Sequence, residues 1–369
     1  MIRAAGLQGE GEAVLHGLDL SYFTGKVQAY LQYAEIPHHF EEMSTAAMRQ
    51  AARHTGLAQM PAIERADGRW MTDSTAIIGW YDSHGATSVP VTPGDPALAF
   101  LSALVEDYAD EWLWRPALHY RWSYEMDARH MGRRIAVEMM RDIPLPLFAR
   151  QALIIARQRR KYLRQDGVTP ATIPHIESIF LRNLGWLEAI LATRPFLLGG
   201  RPTLADFGYF ASMFRHFGLD PTPARIMRAT APHVFAWLAR MWAARASELK
   251  GEVLDALPED WTPILQDIGA SYLPYLAANA RAWQAGQKTF GFDTEGVTYR
   301  LPTQPYRVWC LDRLQRRFEA LPSDAQDVVK GKLEACAAWS ILWQVRHPQS
   351  GFDPQDKLPF LTPQAVRAS

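Results

Sequence analysis

Cysteine is scarce in this chain, and its charges of opposite sign balance. The 369 residues include two cysteines, Cys310 and Cys336, so a disulfide framework is excluded and a reducing cytoplasm is expected. Both lie in apolar, helix-like surroundings, which predicts buried and unreactive thiols. Lys plus Arg and Asp plus Glu both number 39, so there is no electrostatic reason to expect nucleic acid or an anionic membrane as a partner.

Long apolar runs are also missing. No run approaches the roughly 18 residues that a membrane-spanning helix needs. The N-terminal stretch MIRAAGLQGEGEAVL lacks the apolar core of a secretory signal and is interpreted as a short flexible lead. The chain is instead 48% hydrophobic, which indicates a globular protein, and its length suits two or three domains.

Residues 1–85 alternate between short strand and helix patterns. The first of these patterns span residues 13–20 (strand), 25–35 (helix), 36–43 (strand) and 44–54 (helix). MPAIERADGRWMTDS then predicts two strands around an Asp67-Gly68 turn, followed by a helix that Ser74 caps. The order β-α-β-α-β-β-α predicts a mixed four-stranded sheet with helices packed on it.

Strand signals disappear after a linker at 86–97 that is rich in proline. Residues 98–250 predict an all-helical domain, in which Thr203 and Asp206 form an N-capping box. Its clearest helical stripe is Ile176, Phe180, Leu184, Leu187 and Leu191. Residues 251–369 predict a mostly helical extension, either a third small domain or an arm packed on the bundle. Its predicted elements are helices at 262–285, 304–320 and 323–345, a hairpin at 289–301 and an irregular tail.

The order of these units resembles the soluble glutathione transferase family, in which a thioredoxin-like domain precedes an all-helical domain. The resemblance covers residues 13 to about 245. It rests on SYFTGKVQAYL at 21–31, Met60-Pro61, Thr72-Asp73-Ser74 and RPTLAD at 201–206. It implies a glutathione transferase, active in detoxification, that activates the thiol of its co-substrate glutathione for attack on an apolar or aromatic electrophile.

The resemblance implies that three of these motifs build a glutathione site. Asp73 and Ser74 lie where a strand enters a helix, whose free N–H groups bind carboxylates, and Asp73 meets an ammonium, so the pair suits a γ-glutamyl group. A cis Met60-Pro61 bond presents the Met60 backbone to an extended peptide, and Gln59 adds a polar contact. Without the resemblance, an ordinary Ser cap and a trans proline are the simpler interpretations.

Ser21 and Tyr22 offer two adjacent hydroxyls, and a hydroxyl beside a helix N-terminus lowers the pKa of a thiol. The serine branch of the family matches Ser21, Phe23 and Lys26, whereas the tyrosine branch matches Tyr22, Phe23, Thr24 and Lys26. Side chains alternate along an extended segment, so one hydroxyl at most faces the thiol. Ser21 is preferred because the following residues resemble the serine and cysteine branches, and Tyr22 is the alternative, as activator or as plain core. Lys26, Arg49 and Arg53 are candidates to reach the glycine carboxylate of glutathione, with ordinary solvated charges as the alternative.

The first long helix of the all-helical domain is expected to line the pocket of the second substrate. Tyr108, Trp112 and His119 are its candidate residues, with plain core packing as the alternative. The histidines lack metal-ligand spacing, so no metal is expected.

Other functions stay open. One alternative is a glutathione-dependent isomerase, etherase or dehalogenase of a catabolic pathway. Another is a non-catalytic binding or regulatory protein of the same fold, with residues 251–369 as its interaction surface. The family is commonly dimeric through the last helix of the first domain and the bundle, so a homodimer is expected, in which the extension covers or enlarges that surface.

Overall fold

The computed structural model of the protein describes residues 11–363, which begin with a four-stranded sheet and three helices. The elements are β1 (Ala13–Gly17), α1 (Tyr22–Tyr33), β2 (His38–Glu42), α2 (Thr45–Thr55), β3 (Ala62–Glu64), β4 (Trp70–Thr72) and α3 (Ser74–Ser83). The strand order is β2-β1-β3-β4, with β1 and β2 parallel and the other pairs antiparallel. The predicted mixed sheet of thioredoxin type is confirmed. The predicted domain boundaries stay predictions.

One prediction for the connection from β3 through β4 into α3, the identity of the helix cap, was wrong. The turn lies at Asp67-Gly68 as predicted, and Gly68 adopts a φ of +78°, which glycine tolerates without strain. However, the N-cap of α3 is Asp73, whose Oδ1 accepts a hydrogen bond of 3.0 Å from the Ala76 N–H. Ser74 is the first helical residue, because the cap must stay non-helical and the Asp73 backbone, at φ +73°, leaves the helical region.

Helices then follow one another up to residue 243. They are α4 (Pro96–Glu111), α5 (Trp114–Ser123), α6 (Glu125–Val137), α7 (Leu147–Arg157), α8 (Leu163–Gln165), α9 (Ile173–Leu191), α10 (Leu204–Ser212), α11 (Pro221–Thr230) and α12 (Pro232–Ala243). A π-helical turn joins α7 to α8. The predicted stripe of α9 is buried, and Pro174 occupies its first turn.

The capping box at the start of α10 is confirmed. Asp206 accepts hydrogen bonds from the Thr203 N–H at 2.9 Å and from the Leu197 N–H at 2.9 Å. The helix packs tightly on α4 at Gly208, where an added Cβ would lie 2.7 Å from the Glu106 Cα. Thr203, Asp206 and Gly208 therefore fix the position of α10 against the helix that runs beneath the first domain.

The extension packs on both preceding units as an arm. Its elements are α13 (Thr262–Asp267), α14 (Leu273–Gln284), β5 (Thr289–Thr294), β6 (Val297–Pro302), α15 (Pro305–Glu319), α16 (Ser323–Ala335) and α17 (Trp339–Leu342). The hairpin is confirmed, but the single helix predicted over 323–345 is interrupted at Ala337, whose φ of +54° ends the helical path. The Thr72 N–H donates to the Pro359 carbonyl at 2.9 Å, so the tail contacts the edge of the first sheet.

Both cysteines are buried free thiols, as predicted. Within residues 11–363, no helix has the length and apolar character required to cross a membrane. The predicted N-terminal lead lies, up to residue 10, outside the described residues, as do residues 364–369 of the tail.

Candidate functional site

A cavity of about 500 Å³ opens between the first sheet and the helices. Its volume falls within the roughly 300–1,000 Å³ that ligand pockets occupy. It brings together eight of the residues predicted from the sequence, namely Ser21, Tyr22, Phe23, Gln59, Met60, Pro61, Asp73 and Ser74. Lys26, Tyr108, Trp112 and His119 do not line it.

Ser21 is the N-cap of α1 and lies at the wall of this cavity. Its Oγ accepts a hydrogen bond of 3.3 Å from the Thr24 N–H, which uses a lone pair and leaves the hydroxyl proton available. The free N–H groups of the first turn give this end of the helix a partial positive charge. An anionic atom in the cavity near Ser21 would therefore meet both a hydroxyl donor and the helix N-terminus.

The Tyr22 hydroxyl lies in a different environment. Its ring is 1% exposed, and its OH donates to the Ala109 carbonyl at 2.5 Å. Burial, and then repulsion from Asp110, raise the pKa of Tyr22 well above its usual range. The only proton of this hydroxyl is thus engaged within the protein, as the core interpretation of Tyr22 expects. Phe23 stacks on Trp114, with ring centroids 5.8 Å apart, and so joins the two halves of the cavity wall.

The Met60-Pro61 peptide bond is cis, as the resemblance implied. Among residues 11–363, no backbone partner hydrogen-bonds to the Met60 N–H or carbonyl. Gln59 lines the cavity beside it and donates from Nε2 to the Thr72 hydroxyl at 3.0 Å. An extended peptide in the cavity would find a donor and an acceptor on the Met60 backbone.

Asp73 lies next to Ser74 at the other end of the same wall. Its Oδ2 accepts a hydrogen bond of 2.8 Å from the hydroxyl of Tyr306, a residue of α15 in the extension. A φ of +73° is unusual for a residue other than glycine, and such conformations cluster at ligand sites. The N-cap bond to Ala76 and the bond from Tyr306 together hold this carboxylate in place.

The extension also forms an ion pair with a residue of the cavity wall. Arg307, which follows Tyr306, donates from Nε to Glu111 Oε2 at 2.8 Å, and Glu111 lines the cavity. The wall of the cavity therefore depends on α15, which the sequence did not connect with the glutathione motifs. No local signal joins positions 306 and 73, because their contact follows from the way the arm packs.

Lys26 requires a correction. Its side chain is completely buried, and its Nζ donates to Glu106 at 2.7 Å, to Thr75 at 3.1 Å and to Asp110. Burial opposes the charged ammonium, but the two carboxylates outweigh it and raise the pKa of Lys26. The ammonium is thus a buried counter-ion between α1 and α4, and the expectation that it contacts the glycine carboxylate of glutathione is not supported.

The three candidate residues for the second substrate lie elsewhere in the helical domain. Tyr108 donates its hydroxyl to Asp267, and the Arg115 guanidinium lies 4.4 Å from the Trp112 ring centroid. His119 Nε2 lies 3.0 Å from Glu177 Oε1, and burial lowers the pKa of this histidine. All three are core residues, as their alternative interpretation held.

The second half of the cavity is formed by another face of the same helical region. Trp114, Leu118 and Trp122 follow one another at i, i+4 and i+8 along α5 and line the cavity. This spacing was visible in the sequence, but aromatics occur on every face here, so it did not stand out. His216 lies behind them, where burial and then Arg121 lower its pKa well below the usual range and leave the ring neutral.

Comparisons with known proteins match two parts of the chain. The family model for the glutathione S-transferase N-terminal domain matches residues 15–88, and the model for the C-terminal domain matches residues 170–240. No curated protein matches the sequence.

Three solved structures are among those that resemble the chain. The Tau class glutathione S-transferase MiGSTU from mango, Mangifera indica, is 14% identical, with a TM-score of 0.40 over 68% of this chain and 94% of its own. Beta-etherase LigF from Sphingobium sp. strain SYK-6 is 19% identical, with a TM-score of 0.42 over 64% of this chain and 97% of its own. FzlA from C. crescentus is 17% identical, with a TM-score of 0.41 over 63% of this chain and 88% of its own.

The two domain matches occur on one chain, the N-terminal domain on the sheet and the C-terminal domain on the helices that follow it. The chain therefore carries an N-terminal and a C-terminal domain of the glutathione S-transferase type, together with a further helical arm.

Proposed function

We propose that the protein binds glutathione in the 500 Å³ cavity and that Ser21 activates its thiol for attack on an apolar or aromatic electrophile. The observation that carries the proposal is the convergence of three motifs on one cavity wall. Ser21, the cis Met60-Pro61 bond and the Asp73-Ser74 pair are distant in the chain, yet they line the same space.

The γ-glutamyl end of glutathione is assigned to Asp73 and Ser74. Asp73 offers a carboxylate to the ligand ammonium, while the Ser74 hydroxyl and the N-terminus of α3 offer donors to the ligand carboxylate. Each oxygen of Asp73 already accepts one hydrogen bond, and an ionised carboxylate has about four lone-pair sites. Capacity for the ammonium therefore remains.

The thiol end is assigned to Ser21. A free peptide thiol has a pKa of about 8.5, so it is mostly protonated at neutral pH and needs stabilisation as the thiolate. The Ser21 hydroxyl has its proton free, whereas the Tyr22 proton is bound to the Ala109 carbonyl. Ser21 is therefore the proposed hydrogen-bond donor to the thiolate, with Tyr22 as a structural residue behind it.

The electrophile is assigned to the wall formed by Trp114, Leu118 and Trp122. Flat indole surfaces favour an aromatic or apolar acceptor. Arg157 and Gln158 line the same region and are available for polar substituents. A cytoplasmic site of action fits the two free, buried cysteines.

Calorimetric titration with glutathione tests the proposal. We expect Asp73→Ala to weaken binding at least about tenfold, since a charge-assisted contact contributes roughly 1.5–3 kcal/mol. Asp95→Ala is the matched control: Asp95 caps α4 through the Leu98 N–H at 2.8 Å and does not line the cavity, so glutathione affinity should not change. A wild-type protein that fails to bind glutathione, or equal affinities in wild type and Asp73→Ala, would contradict the assignment.

A further inference from the structure

A second cavity, of about 490 Å³, lies between α3, α4, α15 and the tail. No residue that lines it also lines the first cavity. Helix α15 separates the two, since Tyr306 faces the first cavity whereas Trp309 and Arg313 line the second. The second cavity therefore needs its own explanation, independent of glutathione.

Two arginines, Arg313 and Arg317, lie one turn apart on α15 and both line this cavity. Within residues 11–363, neither guanidinium forms an ion pair or a hydrogen bond with a carboxylate. Their neighbours on the same helix do: Arg307 pairs with Glu111 at 2.8 Å, and Arg316 pairs with Asp312 at 2.7 Å. Partly buried cations without a counter-ion are unusual, because burial of charge is costly unless the charge is paired.

The electrostatic surroundings of Arg317 support this view. Burial, and then repulsion from Arg313, lower the pKa of Arg317 to about 10. Glu106 and Asp107 of α4 act on Arg317 and partly oppose this shift, but both are already engaged: Glu106 binds Lys26, and Asp107 accepts from the Tyr272 hydroxyl at 2.6 Å. Asp356 also lines the cavity, but it is exposed to solvent and forms no ion pair with either arginine.

The remaining wall is mainly apolar and aromatic. Trp80 and Phe100 come from the first domain and α4, while Trp309, Leu321 and Leu358 come from the extension. Arg313 itself lies over the Trp309 ring, 4.8 Å from its centroid, which holds the guanidinium at the wall. The cavity therefore pairs a cationic end with an apolar chamber of ligand size.

We propose that this cavity binds an organic carboxylate with an apolar or aromatic body, whose carboxylate lies between Arg313 and Arg317. The guanidinium fork matches a carboxylate geometrically, and two of them one turn apart can bind its two oxygens. The apolar body then covers Trp80 and Phe100. The site neither uses the glutathione-binding residues nor depends on the proposed transferase activity.

The test uses the full-length protein and 2-naphthoate as the probe, with binding measured by titration calorimetry. We expect Arg313→Gln and Arg317→Gln each to weaken binding at least about tenfold, since each removes a charge-assisted contact. Arg316→Gln is the matched control, because Arg316 lies on the same helix and pairs with Asp312 outside the cavity. Neutral 2-naphthamide should bind at least about tenfold more weakly than naphthoate.

Two further titrations distinguish this site from the first cavity and from a simple anion site. The titration is repeated with S-hexylglutathione present to fill the first cavity, and naphthoate affinity should be retained. Inorganic phosphate alone should bind more weakly than naphthoate, because it lacks the apolar body. The assignment is overturned if wild type does not bind naphthoate, if Arg316→Gln weakens binding as much as Arg317→Gln does, or if naphthamide or phosphate binds as tightly as naphthoate.

Folding is checked by thermal unfolding of each variant. Arg317→Gln should unfold at or above the wild-type temperature, since it removes an unpaired buried charge. If that variant does not fold, Arg313→Gln alone decides the assignment, because the Arg313 side chain lies against Trp309 without a hydrogen-bonded partner among the described residues.

Discussion

The hydroxyl of Tyr306, in the C-terminal arm, donates a hydrogen bond of 2.8 Å to Asp73 Oδ2 at the start of α3. These residues lie 233 positions apart in the chain. Asp73 is also the N-cap of α3 and adopts a backbone conformation that residues other than glycine rarely take. The arm thus fixes the carboxylate to which the ligand ammonium is assigned, so the extension belongs to the proposed site.

Tyr306→Phe should therefore raise the Kd for glutathione by about two- to tenfold, since it removes one of the two hydrogen bonds that hold the Asp73 carboxylate in place, an indirect effect of about 0.5–1.5 kcal/mol on binding. We expect kcat to change little once glutathione is saturating. Tyr299→Phe removes a comparable hydroxyl, 2.7 Å from His175, away from the cavity. Equal effects of the two substitutions on glutathione affinity would show that Tyr306 contributes only to stability.

One pair of variants distinguishes the role of the Ser21 hydroxyl from that of the Tyr22 hydroxyl. Ser21→Ala should lower kcat/KM for conjugation by about 10–100-fold and raise the pKa of bound glutathione, read from thiolate absorbance against pH. Tyr22→Phe should leave that pKa unchanged but reduce the free energy of unfolding by about 1–3 kcal/mol, because the Ala109 carbonyl loses its partner. A raised thiol pKa in Tyr22→Phe alone would reverse the assignment.

Substitutions of two tryptophans that lie two positions apart test the cavity wall to which the electrophile is assigned. Trp114→Leu should raise KM for an aromatic electrophile severalfold, since Trp114 lines the cavity. Trp112→Leu should leave KM unchanged and destabilise the fold by about 2–4 kcal/mol, because this ring is 0% exposed and packs on Arg115. Steady-state kinetics and chemical unfolding of both variants decide between the two roles.

Because the Asp107 carboxyl is buried, we predict that the free energy of unfolding depends on pH. Burial raises the pKa of its carboxyl to about 7, so in the folded protein it holds a proton that the unfolded chain releases near pH 4. Wild-type stability should therefore fall as pH rises from about 4 to 7. Asp107→Asn removes this penalty, so its gain in the free energy of unfolding over wild type should grow over that range by about 4 kcal/mol and then level off, since the pKa shift spans about three units. Urea unfolding at several pH values measures it, with exposed Asp327→Asn as the control. An advantage independent of pH would contradict this account.

The expected homodimer is tested by light scattering in solution. The surface implied for dimerisation, on α3 and α4, is covered by the arm: Phe318 packs on Phe100 with centroids 5.9 Å apart, and Phe360 packs on Trp80 at 5.5 Å. We therefore predict a monomer with a mass near 41.7 kDa. A mass twice as large would show that another surface, or the arm itself, forms a dimer.

Features that depend on neighbours in the chain were predictable from the sequence. The four strands, the capping box at Thr203 and Asp206, and the buried stripe of α9 follow from periodicity and local hydrogen bonding. The motifs with Ser21, Pro61 and Ser74 that line the first cavity were identified through the resemblance to glutathione transferases, since the local sequence alone favoured ordinary interpretations. Two local predictions were wrong: the α3 cap lies one residue earlier, and the helix predicted over 323–345 is interrupted at Ala337.

Some side chains could have had more than one role as far as the sequence shows. Only the tertiary structure decided the positions of these side chains. Lys26 matched a ligand-binding pattern, but two acids on α4 hold it in the interior, and no local rule relates residues 80 positions apart. Aromatic residues occur on every face of this helical region. The sequence therefore did not reveal that Trp112 lies in the core whereas Trp114 lines the cavity. Tyr306 reaches Asp73, and Arg313 and Arg317 reach their cavity, only because the arm folds back over α3 and α4. Local physics thus determined the elements and their ends, while long-range packing determined which of the candidate groups meet.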